Sequence, residues 1–174
     1  MKYRFRSPLL ISVLVFAYNG LTAQNTNIQP LLSLKSEIKG EEIFLEYIED
    51  KNGQLSFEQV EANQDNNGQT LQWHLSEKPV PGFGFTNSVY WFRWKTENTS
   101  ANLLNYYIEA TYPVLDDLRL FHRKSNGSIY ERRSGDLLPF ADRDLNYRNV
   151  VFTLEQNPNS QTTHYLRVST SSTF

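Results

Sequence analysis

The chain has 174 residues, which is enough for one ordinary domain and too few for two. Its formal net charge of −2 argues against a nucleic-acid-binding protein. The absence of cysteine from the sequence excludes disulfides, thiolate metal sites and cysteine nucleophiles. Aromatic residues make up 14% of the chain, which is more typical of a β-rich domain than of a helical bundle.

The first 23 residues have the three parts of a secretory signal peptide. A basic start precedes the apolar run Leu9–Ala17, and Ala23 supplies a small residue for cleavage before Gln24. The alternative is an uncleaved anchor helix, but the run is shorter than the roughly 20 apolar residues that a membrane span needs. Cleavage removes three positive charges and no negative ones, so the net charge goes from −2 to −5. The basic residues are Lys2, Arg4 and Arg6.

The mature chain begins with a polar leader, predicted over residues 24–40, and continues as one domain over residues 41–174. Glu42–Ile48 is a candidate strand. Ser56 and Gln59 have the spacing of a capping box, which favours a short helix over Phe57–Ala62. A further strand is the competing interpretation of that segment.

From Val89 onward the sequence alternates apolar and polar residues with the period of a β-strand. The Asn126-Gly127 pair predicts a hairpin turn. Strands of this length, separated by turn signals, predict an all-β fold, an antiparallel β-sandwich. The predicted strands are Val89–Glu97, Leu104–Tyr112, Asp117–Arg123, Ile129–Arg133, Val150–Leu154 and a last one around Leu166–Val168.

The sequence contains no recognisable catalytic or cofactor motif, so we predict a protein that is not an enzyme and has no cofactor or metal. The adjacent Asp116 and Asp117 would face opposite sides of a strand and could not cooperate in catalysis. His74, His122 and His164 lack the spacing of a helical zinc site. We expect these histidines at surface or edge positions.

Aromatic and arginine side chains on the outer faces of strands form the predicted ligand site. An aromatic ring can stack on a sugar, and a guanidinium can bind polar oxygens in a bidentate manner. In the alternative interpretation, the tryptophan packs beneath a loop and the arginines form ordinary surface pairs. The residues of this predicted site are Trp91, Arg93, Tyr107, Arg119 and Arg167.

The segment Gly135–Asn149 is predicted to be a long loop, and such loops are uncommon without a functional or packing reason. Arg143 and Arg148 are candidates to bind a carboxylate or sugar acid and complete the predicted ligand site. Alternatively, Asp136 and these two arginines tie the loop to the edge of the sandwich through charge-assisted hydrogen bonds.

Several strings in the right order resemble a known family, the extracellular type-2 domain of bacterial seven-transmembrane receptors with diverse intracellular signalling modules. The resemblance covers about residues 43–174. The matching strings are Ile48–Val60, Gly84–Asn98 (GFTNSVYWFRWKTEN), Tyr112–Leu120 (YPVLDDLRL), Gly135–Asn149 (GDLLPFADRDLNYRN) and Tyr165–Ser169 (YLRVS).

The resemblance implies a jelly-roll-like β-sandwich that senses a carbohydrate or a similar small polar ligand. It places the domain at the periplasmic face of the cytoplasmic membrane of a Gram-negative bacterium. It also implies a tether through a transmembrane region beyond residue 174 and an output module such as a histidine kinase or nucleotide cyclase. A homodimer is left open. Two alternatives are a module that docks a periplasmic protein and a sugar-binding accessory module of a secreted hydrolase.

Overall fold

The computed structural model describes residues 9–11, 28, 31–34 and 43–171. Most of the predicted signal peptide and leader therefore lies outside the described residues. Leu9–Ile11, within the predicted signal peptide, forms a strand parallel to residues 106–108. Cleavage after Ala23, as the sequence predicts, would remove this strand from the mature protein.

The described part of the chain is almost entirely β-structure. It contains ten strands, one short α-helix and one 3₁₀ turn, the latter at Phe140–Asp142. The α-helix is α1 (Phe57–Ala62). The strands are β1 (Leu9–Ile11), β2 (Leu31–Ser33), β3 (Glu46–Asp50), β4 (His74–Leu75), β5 (Val89–Asn98), β6 (Leu104–Ala110), β7 (Asp117–Arg123), β8 (Ile129–Ser134), β9 (Val150–Gln156) and β10 (Ser160–Ser169).

The strands form two sheets. The larger sheet has the order β4-β3-β5-β10-β7-β8, and β2 runs parallel to the second half of β5. The smaller sheet has the order β1-β6-β9. Apart from the parallel pairs that β1 and β2 make, the strand pairs are antiparallel. The predicted all-β, antiparallel sandwich is confirmed.

The main core lies between the two sheets. On β5 the even-numbered residues point inward, as the alternation predicted, because successive side chains of a strand face opposite sides. Their partners come from β7, β10 and the smaller sheet. The buried residues of this core include Tyr90, Phe92, Trp94, Tyr106, Leu118, Leu120, Phe152, Leu166 and Val168.

A second, smaller core lies on the outer face of the larger sheet, where α1 covers it. Ser56 begins this helix with a capping box: its hydroxyl accepts from the Gln59 amide, and the Gln59 side chain accepts from the Ser56 amide. The helix interpretation of this segment is therefore correct, and the strand interpretation is wrong. The buried residues of this second core are Ile48, Phe57, Val60, Val89, Trp91, Phe121 and Tyr165.

A polar cluster is buried within the main core. His164 is fully buried, and its Nε2 lies 2.9 Å from both the Thr96 and the Tyr106 hydroxyl. The ring of His122 stacks on Tyr130 and meets the His164 ring edge-on at 5.2 Å. The expectation of surface histidines is thus wrong for His164, because its strand position points inward.

Burial of these histidines predicts a fold that loses stability in mild acid. Desolvation, reinforced by Lys124, lowers the pKa of His122 from 6.5 to about 4, and desolvation also lowers the pKa of His164 well below 6.5. Between pH 6.5 and about 4, these histidines bind protons in the unfolded chain but not in the folded chain. The free energy of unfolding should therefore fall as pH drops from about 6.5 to 4, on the order of 1–2 kcal/mol for the half-buried His122.

Urea unfolding at several pH values tests this expectation. His122→Phe should make the dependence less steep and leave the part that His164 contributes, whereas the exposed His74→Gln should keep the wild-type slope. The depressed pKa values of Glu58 and Asp116 add losses only below their ordinary values of 4.5 and 3.8. A stability that does not change between pH 6.5 and 4 would contradict the prediction.

Candidate functional site

Three arginines and one aspartate meet on the outer face of the larger sheet, at the edge of the second core. Strand register brings them together: Arg167 on β10 lies opposite Arg119 on β7, which lies opposite Arg133 on β8. Asp117 lies two residues before Arg119 and shares its face of the strand. We call Asp117, Arg119, Arg133 and Arg167 the arginine cluster.

Asp117 is the anionic centre of the arginine cluster. Its carboxylate accepts from Arg119 Nε at 2.9 Å and from Arg133 Nε on its other oxygen. Arg167 Nη1 lies 3.6 Å from the same carboxylate. The Asp117 side chain is only 9% exposed, whereas those of Arg119 and Arg133 are 35% and 44% exposed. One buried carboxylate thus holds guanidinium groups that reach solvent.

The arginine cluster carries an excess of positive charge. Burial lowers the pKa of Arg167, and the positive charge of Arg119 lowers it further, while Asp117 and Asp50 raise it. A guanidinium group is a permanent cation in proteins. The Asp50 carboxylate already accepts from the Gln54 and Leu55 amides. Three guanidinium cations therefore face two carboxylates, Asp117 in direct contact and Asp50 nearby, and the positive charge left over favours an additional anion.

A tight turn after β3 borders the arginine cluster. Gly53 has φ +63°, and a Cβ there would lie 3.1 Å from Val89 Cγ2 and 3.7 Å from Arg167 Nη2. Glycine is required here by both the backbone angle and the close approach. The turn thus forms a wall beside Arg167 and limits the size of what can bind.

Two of the predicted site residues are engaged in packing. Trp91 is 1% exposed within the second core, so its ring is not accessible to a sugar. Arg93 pairs with Glu46 at 2.7 Å and lies 3.9 Å above the Trp73 ring. The structure therefore agrees with the alternative interpretation for Trp91, with a helix in place of the loop.

The other predicted residues lie elsewhere. Tyr107 belongs to β6 of the smaller sheet and so lies on the opposite layer of the sandwich. The Arg143 side chain is 8% exposed and donates to the carbonyl oxygens of Tyr147 and Arg148 at 3.2 and 2.7 Å. Arg148 itself is exposed. The seven predicted residues do not line one surface, because only Arg119 and Arg167 meet in the arginine cluster.

The long loop 135–149 is fastened mainly by Asp144, whose role the sequence analysis missed. Its carboxylate accepts from the Thr153 amide at 2.9 Å and pairs with Arg132 at 2.5 Å. Arg143 lies 3.7 Å from Asp136, as the structural alternative for this loop anticipated. The loop is therefore held against β8 and β9 by charge-assisted hydrogen bonds.

Sequence reasoning also missed Arg133 and Asp117 as members of the arginine cluster. Alternation alone places Arg119 on an outer face, but Arg133 joins it only through the register of the β7–β8 hairpin. Asp117 and Asp116 do face opposite ways, as predicted: Asp116 instead accepts from the Ser171 amide and hydroxyl.

Within the described ranges there is no group of three or more His, Cys, Asp or Glu side chains that could hold a metal ion. The helices in the same part of the chain are too short or too polar to cross a membrane. Three guanidinium groups around one carboxylate can bind an anion through hydrogen bonds and charge.

Comparison with known families identifies the domain. The family described as 7TMR-DISM extracellular 2 matches residues 43–174, which is most of the chain. The chain belongs to this family. The 7TMR-DISM extracellular 2 domain is an exported, extracellular sensing domain of a receptor, which is consistent with a non-catalytic role. No curated protein and no solved structure matches this chain.

Proposed function

We propose that this 7TMR-DISM extracellular 2 domain senses a carbohydrate-type ligand that carries a carboxylate, such as a uronic acid, and that the arginine cluster binds it. The receptor would present this site on the periplasmic face of the cytoplasmic membrane. The observation that carries the proposal is the excess of guanidinium groups over carboxylates around the buried Asp117.

The donor geometry supports an anionic ligand. Arg119 and Arg133 each use Nε to hold Asp117, and among the described residues their Nη groups have no hydrogen-bond partner. An arginine fork matches the two oxygens of a carboxylate, and such charge-assisted bonds are roughly twice as strong as neutral ones. Asp117 keeps these forks in position before the ligand arrives, which reduces the ordering cost of binding.

Signalling would follow from a shift in population. A ligand bound to the arginine cluster contacts β7, β8 and β10 at once, so it favours the arrangement in which these strands hold their side chains together. It can move the receptor equilibrium only by as much as its affinity differs between the two states.

Calorimetric titration with glucuronate and galacturonate, beside the neutral sugars glucose and galactose, tests the proposal. The acids should bind and the neutral sugars should not. Arg119→Gln and Arg133→Gln should each weaken binding of the acid by about 10-fold or more, as expected for loss of a hydrogen bond to a charged group. Raising the salt concentration should also weaken binding, because the cluster is partly exposed.

Arg132→Gln provides the matched control, since Arg132 neighbours Arg133 on β8 but pairs with Asp144 on the other face. Binding should stay at the wild-type level in this variant. Equal binding of acidic and neutral sugars, or the same loss from Arg132→Gln as from Arg133→Gln, would count against the arginine cluster.

A protein-docking module is the second candidate function. Exposed apolar side chains occur in the loops before β5 and after β8, which lie at the same end of the larger sheet; they include Val80, Phe85, Leu137 and Phe140. Solvent-exposed apolar patches mark interaction sites in many soluble proteins. If no acidic sugar binds to the arginine cluster, this candidate is favoured over the first.

A further inference from the structure

A cavity of about 480 Å³ lies between the two sheets, on the opposite side of the larger sheet from the arginine cluster. Its volume is within the range of small-molecule sites, about 300–1,000 Å³. The same strands contribute to both places, since β7 and β10 direct Leu118 and Leu166 toward the cavity and Arg119 and Arg167 away from it. The cavity is therefore a separate site.

The described lining of the cavity is strongly apolar. Side chains from both sheets form its walls, and Glu109 is the one charged residue among the described residues that line it. The hydroxyls of Thr96 and Tyr106 are already engaged by His164. Wall residues include Leu32, Phe92, Trp94, Ile108, Phe152 and Leu166. Water gains few hydrogen bonds in such a space, whereas apolar groups gain contacts.

The cavity reaches solvent at one end of the sandwich. Val80 lines it and is 55% exposed, and the neighbouring Pro79–Gly82 segment and Thr111 also belong to the lining. These residues lie beyond the start of β5 and the end of β6. A chain-like molecule could enter there and leave its polar end in water.

One polar atom of the lining residues lacks a partner. The indole Nε1–H of Trp94 is buried and has no hydrogen-bond acceptor among the described residues. Buried donors without a partner are rare in native proteins and call for an explanation. A bound molecule with an oxygen atom near its apolar body would supply the acceptor.

We propose that this cavity binds a single-chain amphiphile with an uncharged head group, of the class of long-chain alcohols and alkyl glycerols. The apolar walls take the chain, and the mouth beside Val80 leaves the head in solvent. The described lining residues include no lysine, arginine or histidine, so an anionic head group would have no cation to pair with there. The proposal does not depend on the arginine cluster.

The test uses decyl glycerol and decanoate as probes of the purified chain, below their micelle-forming concentrations. We expect decyl glycerol to bind saturably and about tenfold or more tightly than decanoate at neutral pH. The indole N–H resonance of Trp94 should shift in nuclear magnetic resonance spectra. That of Trp73, which donates to Asn63 Oδ1 at 2.8 Å, should not.

Ala110→Phe fills the cavity, because Ala110 is a small residue of its lining. It should weaken decyl glycerol binding by about tenfold or more, while Ala101→Phe, the same change at an exposed loop position, should not. Val80→Asp, at the exposed mouth, should weaken binding without disturbing the core, so it tests the site even if Ala110→Phe fails to fold.

Absence of saturable binding would overturn the proposal, as would wild-type affinity in folded Ala110→Phe or in Val80→Asp. Binding of decyl glycerol that survives Arg119→Gln would show that the two sites are separate. Conversely, loss of uronic acid binding would leave the cavity proposal standing. The two proposals therefore fail independently.

Discussion

Trp91→Ala is expected to lower the free energy of unfolding by about 3–5 kcal/mol, the usual cost of removing a large aromatic side chain from a core. The Trp91 ring lies 5.6 Å from Phe121, which stacks on Phe57 of α1. Truncation leaves a cavity between the sheet and the helix, and six residues of helix cannot close it without losing their own contacts. Urea unfolding followed by circular dichroism measures the change.

Trp91→Phe separates packing from ligand contact. It keeps most of the apolar volume and removes an indole N–H that has no acceptor in the described part of the chain, so it should cost only about 1–2 kcal/mol. Affinity for the acidic sugar should be unchanged in this variant. Loss of binding with retained stability would instead make Trp91 a ligand contact.

Gly135→Ala is expected to destabilise the domain by about 3 kcal/mol or more, since it combines backbone strain with a steric clash. A Cβ at Gly135 would lie 2.3 Å from the carbonyl oxygen of Asp116, and its φ is +135°. The amides of Asp136 and Leu137 donate to the carbonyl oxygens of residues 115 and 116. The backbone at Gly135 therefore cannot move away from Asp116 without breaking these hydrogen bonds. Thermal and urea unfolding measure the loss.

Gly127→Ala is the matched control for that substitution. Gly127 also has a positive φ, +83°, but nothing lies within 4 Å of a Cβ there. Only the backbone cost applies, about 1 kcal/mol. If both substitutions lower the free energy of unfolding equally, the close contact with Asp116 adds nothing to the cost of the backbone conformation.

The alternation of β5 predicted its two faces but not which of them reaches solvent. Val89–Phe92 are four consecutive buried residues, because α1 covers the outer face that the alternation assigned to a ligand. The capping box that begins this helix was visible in the sequence. Where the helix docks was not, since docking depends on the shape of the sheet below it.

The β7–β8 hairpin shows how a turn decides a site. Asn126-Gly127 predicted the hairpin, and a two-residue turn would pair Ser125 with Ser128. Instead, Lys124 faces Ser128, with Gly127 donating back to the Lys124 carbonyl. This shift of one residue places Arg133 rather than Ser134 opposite Arg119. A one-residue slip exchanges the faces of a strand, so the other register would turn Arg133 away from Arg119.

The sequence by itself determined the β-sandwich, the short capped helix and the family, because these follow from local periodicity, capping spacing and ordered motifs. Tertiary structure alone decided the arginine cluster and the cavity. Arg119, Arg133 and Arg167 come from three strands, and their meeting depends on hydrogen-bond register between distant segments. The cavity depends on the spacing of two sheets. Neither property is local, so no pattern along the chain specifies it.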